Sequence, residues 1–265
     1  MEFRILGPVE VLEAGVRLAV PGPRERTALA VLVLRAGQVV SVPDLIDAIW
    51  PDDPPVTSRQ QVQTAVSVLR RAIGDHRRPV ADRRILTHPP GYLLRVYPGE
   101  LDADRFEAGV ARARTELRAG RPGPAAELMR AALAHWRGPA LDGLESPVIR
   151  AAAGALDERR LSTVEERAEA ALSAGRAAEV VAELTRLVAV HPLRERLRGA
   201  LMLGVYRMGR TSEALAVYRD GRRLLARELG VEPGEPLRAL ERGMLRRPAH
   251  SRCASAACCL HAAVG

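Results

Sequence analysis

From Thr57 to Asp75 the sequence reads TSRQQVQTAVSVLRRAIGD. Gln60, Gln63 and Thr64 come early in it, with Arg59 ahead of them and Ser67, Arg70 and Arg71 behind. Nothing here suits bond breaking, since no nucleophile sits beside a base. The chemistry on offer is hydrogen-bond recognition. A Gln carboxamide donates and accepts on adjacent atoms, which matches adenine in the major groove of DNA, and guanidinium matches guanine. Hydroxyls and guanidiniums also suit phosphate oxygens. No acidic residue interrupts the stretch before Asp75. A carboxylate on that face would be repelled by phosphate, whereas an ordinary solvated helix would mix Glu with its basic residues. Plain solvation is the bland alternative.

For these groups to share one face, the stretch must be helical. Val62, Val66, Leu69 and Ile73 recur at helical spacing and predict a helix over Thr57–Ile73 with that side buried. Thr57 with Gln60 has the capping-box pattern, and Gly74 is the stop. Upstream, Pro23 opens a helix that runs through RERTALAVLVLRA to a stop at Gly37. Ser41 and Asp44 form a second capping pattern, opening a helix over Val42–Trp50. PDDPP at 51–55 must be a turn or loop. Downstream, DHRRPVADRR reads as a polar, mobile link, and RILTHPPGYLLRV as two strands around a Pro-Pro-Gly turn. Residues 1–20 read as short strands meeting near Ala14-Gly15.

Three helices followed by a β-hairpin make a winged helix-turn-helix, whose third helix enters the major groove. In that geometry Gln60, Gln63 and Thr64 are the candidate base readers. Arg59, Ser67, Arg70 and Arg71 are the candidate phosphate contacts, and His88 and Tyr92 the polar tips of the wing. Arg24 and Arg26 could also meet a backbone, although a surface role fits them equally well.

From about Leu101 the texture changes to helix after helix. RAGR at 118–121, SAGR at 173–176 and RMGR at 207–210 recur as landmarks, and Gly175 and Gly209 lie 34 residues apart, the tetratricopeptide (TPR) period. Each is expected to mark a turn between paired helices, Leu161–Ala174 with Ala177–Val190 and Leu193–Met208 with Ser212–Leu229. Pro192 and Pro233 close the units, and Ala178, Ala214 and Ala216 would permit close packing. The predicted fold is mostly α: a winged helix-turn-helix with small β-sheets over 1–100, an all-α TPR-like domain over 101–245, and a disordered tail over 246–265.

Composition narrows the classes. The 265 residues carry a net charge of +8, which permits an anionic partner. Every basic side chain is Arg, as a GC-rich coding bias would produce, so the Arg content says little by itself. Its distribution says more: between Thr57 and Arg84 seven Arg face two Asp. No apolar signal segment or membrane span is visible, and a soluble, cytoplasmic protein is expected. Cys253, Cys258 and Cys259 fall only in the tail; with His250 and His261 they fit no zinc spacing we can name, and no metal or cofactor is expected. Trp50 and Trp136 read as packing residues. Asp102, Asp104 and Glu107 read as a helix start with a favourable dipole interaction. No triad, HExxH, P-loop or GxGxxG pattern appears, so an enzyme is the least expected class.

The segments FRILGPVEV, PRERTALAVLVLRAGQVVSVPDLIDAIW, LRRAIG, THPPGYLL, LDADRFE, WRGPAL and HPLRERLRGALMLGVYRMGRTSEALAVYRDGRRLLARELGVEPGEPLRALE occur in this order over about residues 2–245. In them the sequence resembles the SARP family of actinobacterial transcription activators. It departs from the family's usual residues at Ala65, Val68 and His88. The resemblance implies a response-regulator-type winged helix, a bacterial transcriptional activator domain and action on biosynthetic gene clusters. It implies binding to direct repeats of double-stranded DNA near the −35 region, as side-by-side protomers that recruit RNA polymerase holoenzyme. Without a phosphate-acceptor domain or P-loop, no built-in ligand switch is expected. The rival reading is a TPR-type interaction scaffold that no longer binds DNA.

Overall fold

The structure is a computed structural model that describes residues 1–246; the expected tail, with His250 and the three cysteines, lies outside the described residues. The chain divides into two compact units, Met1–Gly109 with Ala131–Leu161, and Val110–Arg130 with the chain from Ser162 onward. Among the described residues there are ten α-helices and six strands.

The first unit opens with an antiparallel sheet of β1 (Glu2–Arg4), β2 (Glu10–Glu13) and β3 (Val16–Leu18), in that order. Ala14 and Gly15 both take positive φ, 50° and 80°, and give the β2–β3 hairpin its tight turn. Helix α1 (Pro23–Leu34) has six consecutive buried residues, Ala28 to Val33. A helix apolar all round belongs in the middle of a core. Its predicted stop holds: Gly37 has φ 77°, and its N–H donates to Leu94 O at 2.9 Å.

Five further elements complete the winged helix-turn-helix. Strand β4 (Val39–Ser41) leads directly into α2 (Val42–Ile49), where Ser41 Oγ accepts the Asp44 N–H at 3.1 Å, as the capping pattern requires. Helix α3 spans Ser58–Ala72 and buries Val62, Ala65, Val66 and Leu69. The wing is β5 (Ile85–His88) and β6 (Gly91–Leu94). Strand β4 pairs with β6, so this sheet has the order β4-β6-β5 and the wing is clamped to the entrance of α2. The sequence reading contains no β4: three residues between a glycine stop and a helix cap look like a linker. Gly91 is obligatory here, because a Cβ on it would lie 1.8 Å from Val40 O.

The link from Gly74 to Arg84, expected to be mobile, is structured. Two short 3-10 turns, Asp75–Arg77 and Val80–Asp82, occupy it. The Asp75 carboxylate is fully buried and accepts the Arg84 N–H at 2.9 Å and the Ile85 N–H at 2.7 Å. A short acidic side chain thus caps the start of the wing with charge-assisted bonds.

The core of this unit reaches past residue 100. Asp102, 2% exposed, accepts the Ile5 N–H at 2.9 Å and the Leu6 N–H at 3.1 Å. Burial raises its carboxyl above the ordinary aspartate range, and the two N–H bonds and Arg137 pull the other way. It is a clasp on the end of β1 and more than the dipole partner expected, while Glu107 pairs with Arg159 at 2.8 Å. Leu141 and Ile149 belong to the same core, and Trp136 packs edge-on against Phe106 at 5.6 Å.

The remaining helices are α4 (Asp102–Arg118), α5 (Pro122–Leu133), α6 (Pro147–Ser173), α7 (Ala177–Val190), α8 (Glu195–Arg207), α9 (Thr211–Leu229) and α10 (Glu235–Arg246). The sequence reading starts α6 at Leu161; it starts at Pro147 and runs through Gly154, a single glycine that a long helix tolerates. The three landmark turns share one geometry. Gly120, Gly175 and Gly209 have φ 71°, 78° and 81°. The N–H of the Arg after each, Arg121, Arg176 or Arg210, donates five residues back, to Glu116, Ala171 or Val205 O, the Schellman pattern. Within the second unit Ala214 is fully buried, but Ala178 is exposed. Close approach there rests on Gly204, where a Cβ would lie 2.8 Å from Val181 Cγ2.

Candidate nucleic-acid interface

Helix α3 rests on α1 and α2 through its apolar side, which fixes what its other side presents. At about 100° of turn per residue, Gln60, Gln63, Thr64, Ser67 and Arg71 fall on one face. All five are exposed. Thr64 Oγ1 donates to Gln60 O at 3.1 Å and Ser67 Oγ donates to Gln63 O at 2.9 Å, so both hydroxyls lie along the helix with lone pairs outward. Arg59 is exposed at the first turn. Among the described residues no carboxylate pairs with Arg59 or Arg71. The face is cationic and free of acid, as its residue types require.

The two flanks of the helix have other work. Arg70 turns toward the wing: its Nε donates to Ile85 O at 3.0 Å, one Nη donates to Thr87 Oγ1 at 2.8 Å, and its guanidinium lies 5.7 Å from the Tyr92 ring centre. It is a strut between α3 and β5, a part that the sequence reading did not give it beside the expected phosphate contact. Tyr92 is 7% exposed and part of the core, so it is no polar tip of the wing. His88 is exposed at the hairpin end, where the wing was expected to present it.

Gln61 on the opposite flank is a residue the sequence reading passed over. Its Nε2 donates to Thr57 Oγ1 at 2.9 Å, and its Oε1 accepts from Arg24 Nη1 at 2.7 Å. The Arg24 guanidinium lies 5.2 Å from the Trp50 ring centre. These contacts join the first turns of α1 and α3 and give the exposed Arg24 a structural part. The capping box expected at Thr57 does not form; the Thr57 hydroxyl accepts from Gln61 instead of from a backbone N–H. Ala65 is buried and Val68 half-buried, so neither lies on the exposed face.

Among the described residues no group of three or more His, Cys, Asp or Glu gathers as metal ligands. No described helix is long and apolar enough to cross a membrane.

Known proteins share this architecture. Residues 19–94 match the family described as transcriptional regulatory protein, C terminal, and residues 101–245 match the bacterial transcriptional activator domain. The regulatory protein AfsR of Streptomyces coelicolor is 41% identical over 248 residues, which are 93% of this chain and 24% of AfsR. The transcriptional regulatory protein MoaR1 of Mycobacterium tuberculosis is 40% identical over 253 residues, 93% of this chain and 80% of MoaR1. The transcriptional regulator RedD of S. coelicolor is 38% identical, across 90% of this chain and 68% of RedD. The chain thus spans about a quarter of the length of AfsR. The solved structure of M. tuberculosis EmbR in complex with a low-affinity phosphopeptide superposes with a TM-score of 0.89 at 34% identity. The match covers 100% of this chain and 69% of that one.

Proposed function

The chain belongs to the SARP family of transcriptional regulators, and from that membership we propose that it is a sequence-specific DNA-binding activator of a biosynthetic gene cluster. The observation that carries the reading is the exposed, acid-free face of α3, held beside a wing. Inserted in the major groove, Gln60, Gln63 and Thr64 read base edges, while Arg59, Ser67 and Arg71 meet phosphate oxygens. His88 at the hairpin end reaches the backbone next to the groove. Residues 1–100 supply this contact, and residues 101–245, a helical-repeat surface, serve the transcription machinery. Protomers sit side by side on direct repeats near the −35 region and recruit RNA polymerase holoenzyme. No enzymatic step and no cofactor enter this reading, and the protein works in the cytoplasm.

Footprinting on the promoters flanking the chain's own gene, at stated salt, tests the proposal. Protection of two direct repeats at a spacing of one helical turn, or a multiple, supports it. Uniform weak protection that disappears at physiological salt would favour the scaffold reading, in which the winged domain no longer recognises sequence.

A further inference from the structure

Beyond the end of the α3 face lies a concavity of about 310 Å³, lined by Ser67, Arg70, Arg71, Asp75, His76 and Arg83. Three guanidiniums and an imidazole surround it, with one carboxylate. That carboxylate is already used, since Asp75 accepts backbone N–H groups from Arg84 and Ile85. Among the described residues, Arg83 Nε is buried without a hydrogen-bond partner, and no carboxylate pairs with Arg83 or Arg71. Elsewhere in this Arg-rich chain, guanidiniums are commonly matched, as in Arg114–Glu166, Arg159–Glu107 and Arg196–Glu169. Arg70 is committed to β5, but Arg71 and Arg83 meet at one hollow with a buried donor left over, and such a pair calls for an anion from outside.

We propose that this concavity binds a phosphate oxyanion, and that the occupant is a backbone phosphate of the bound DNA duplex, held by Arg83 and Arg71. The proposal rests on the DNA-binding reading and extends it to a loop that lies off the recognition helix. The length of the helix supports that occupant. Gln63 and Arg71 are eight residues apart, about 12 Å along the axis at 1.5 Å per residue. A recognition helix contacts base edges through its N-terminal residues, so Arg71, and the hollow beside it, lie beyond the base-reading part, where the helix leaves the groove past the backbone. Asp75 keeps Arg83 in place by fixing the next two backbone N–H groups. A guanidinium so held can give a phosphate two parallel hydrogen bonds.

The full chain carrying Arg83→Ala, and separately Arg83→Lys, is titrated with the footprinted duplex by fluorescence anisotropy over a series of salt concentrations. The slope of log K against log salt should fall by about 0.9 in Arg83→Ala, the loss of one phosphate contact, and recover in Arg83→Lys. The fall should be the same on cognate and random DNA. Melting temperatures of the variants check that the fold survives. An unchanged slope in a folded Arg83→Ala protein overturns the proposal while leaving the DNA-binding reading intact. Failure of the unmodified chain to bind any of the duplexes overturns the reading itself. Inorganic phosphate, titrated without DNA and followed by NMR at the Arg83 and His76 amides, separates the two sources of the anion. Saturable shifts there together with an unchanged slope on DNA would assign the hollow to a free phosphate instead.

Discussion

At the scale of single residues, the side chains proposed to read DNA are distinct from those that hold the fold together. Gln63 is exposed, makes no side-chain hydrogen bond among the described residues and lies about a third of a turn from the buried Val62. Gln63→Ala should leave stability and non-specific binding in place. It should lower the preference for the cognate repeat over random DNA by tenfold or more, since a good bidentate contact is worth about 1–3 kcal/mol. Competition binding against random DNA measures this; an unchanged ratio would move base reading to Gln60. Arg70 behaves differently. Arg70→Ala removes two hydrogen bonds to β5, each worth about 1 kcal/mol. It should lower the melting temperature as well as the affinity, whereas Arg71→Ala should lower affinity alone. The exposed face of α3 was legible from sequence because its period is local. The parts played by Arg70, Gln61 and Tyr92 were not, because their partners lie 15 to 37 residues away and no pattern within a helix announces them.

At the scale of elements, capping residues and glycine stops marked the helices well. Ser41, Gly37 and Gly74 stand where helices begin or end. Strand β4 and the ordered link after α3 escaped the same reading. Strand β4 has its structure imposed by distant β6, and the link is closed by its own Asp75, whose carboxylate accepts from the Arg84 and Ile85 N–H groups at its far end. Gly91 is where that imposition is tightest. Gly91→Ala must push β6 off Val40 O and unseat the wing from β4. The loss should be at least about 2 kcal/mol, in the range of overpacking a well-packed site. Chemical denaturation should show it as a lower midpoint, and DNA affinity should fall in step. A midpoint within error of the unmodified chain would mean that the wing is not held at β4.

At the scale of the molecule, the core under the winged helix includes Leu101, Leu141 and Ile149, and its first sheet is tied down by Asp102. A fragment ending at residue 100 keeps every proposed DNA contact but loses these supports. It should bind DNA in a salt-sensitive way yet melt well below a fragment ending at residue 161; equal melting temperatures would show the supports to be idle. Asp102→Asn should reproduce part of the loss, about 1–3 kcal/mol, because the amide NH2 would face a backbone N–H. The three glycine turns in the helical half have a different kind of consequence. A protease must draw a cleavage site out into an extended strand before it can cut. Arg176 and Arg210 sit in connections so short, with their N–H groups bonded back into the preceding helix, that no slack exists to be drawn out. Trypsin, offered arginines throughout the chain, should therefore spare both in a brief digest, and an early fragment ending at either would show that the turn gives way.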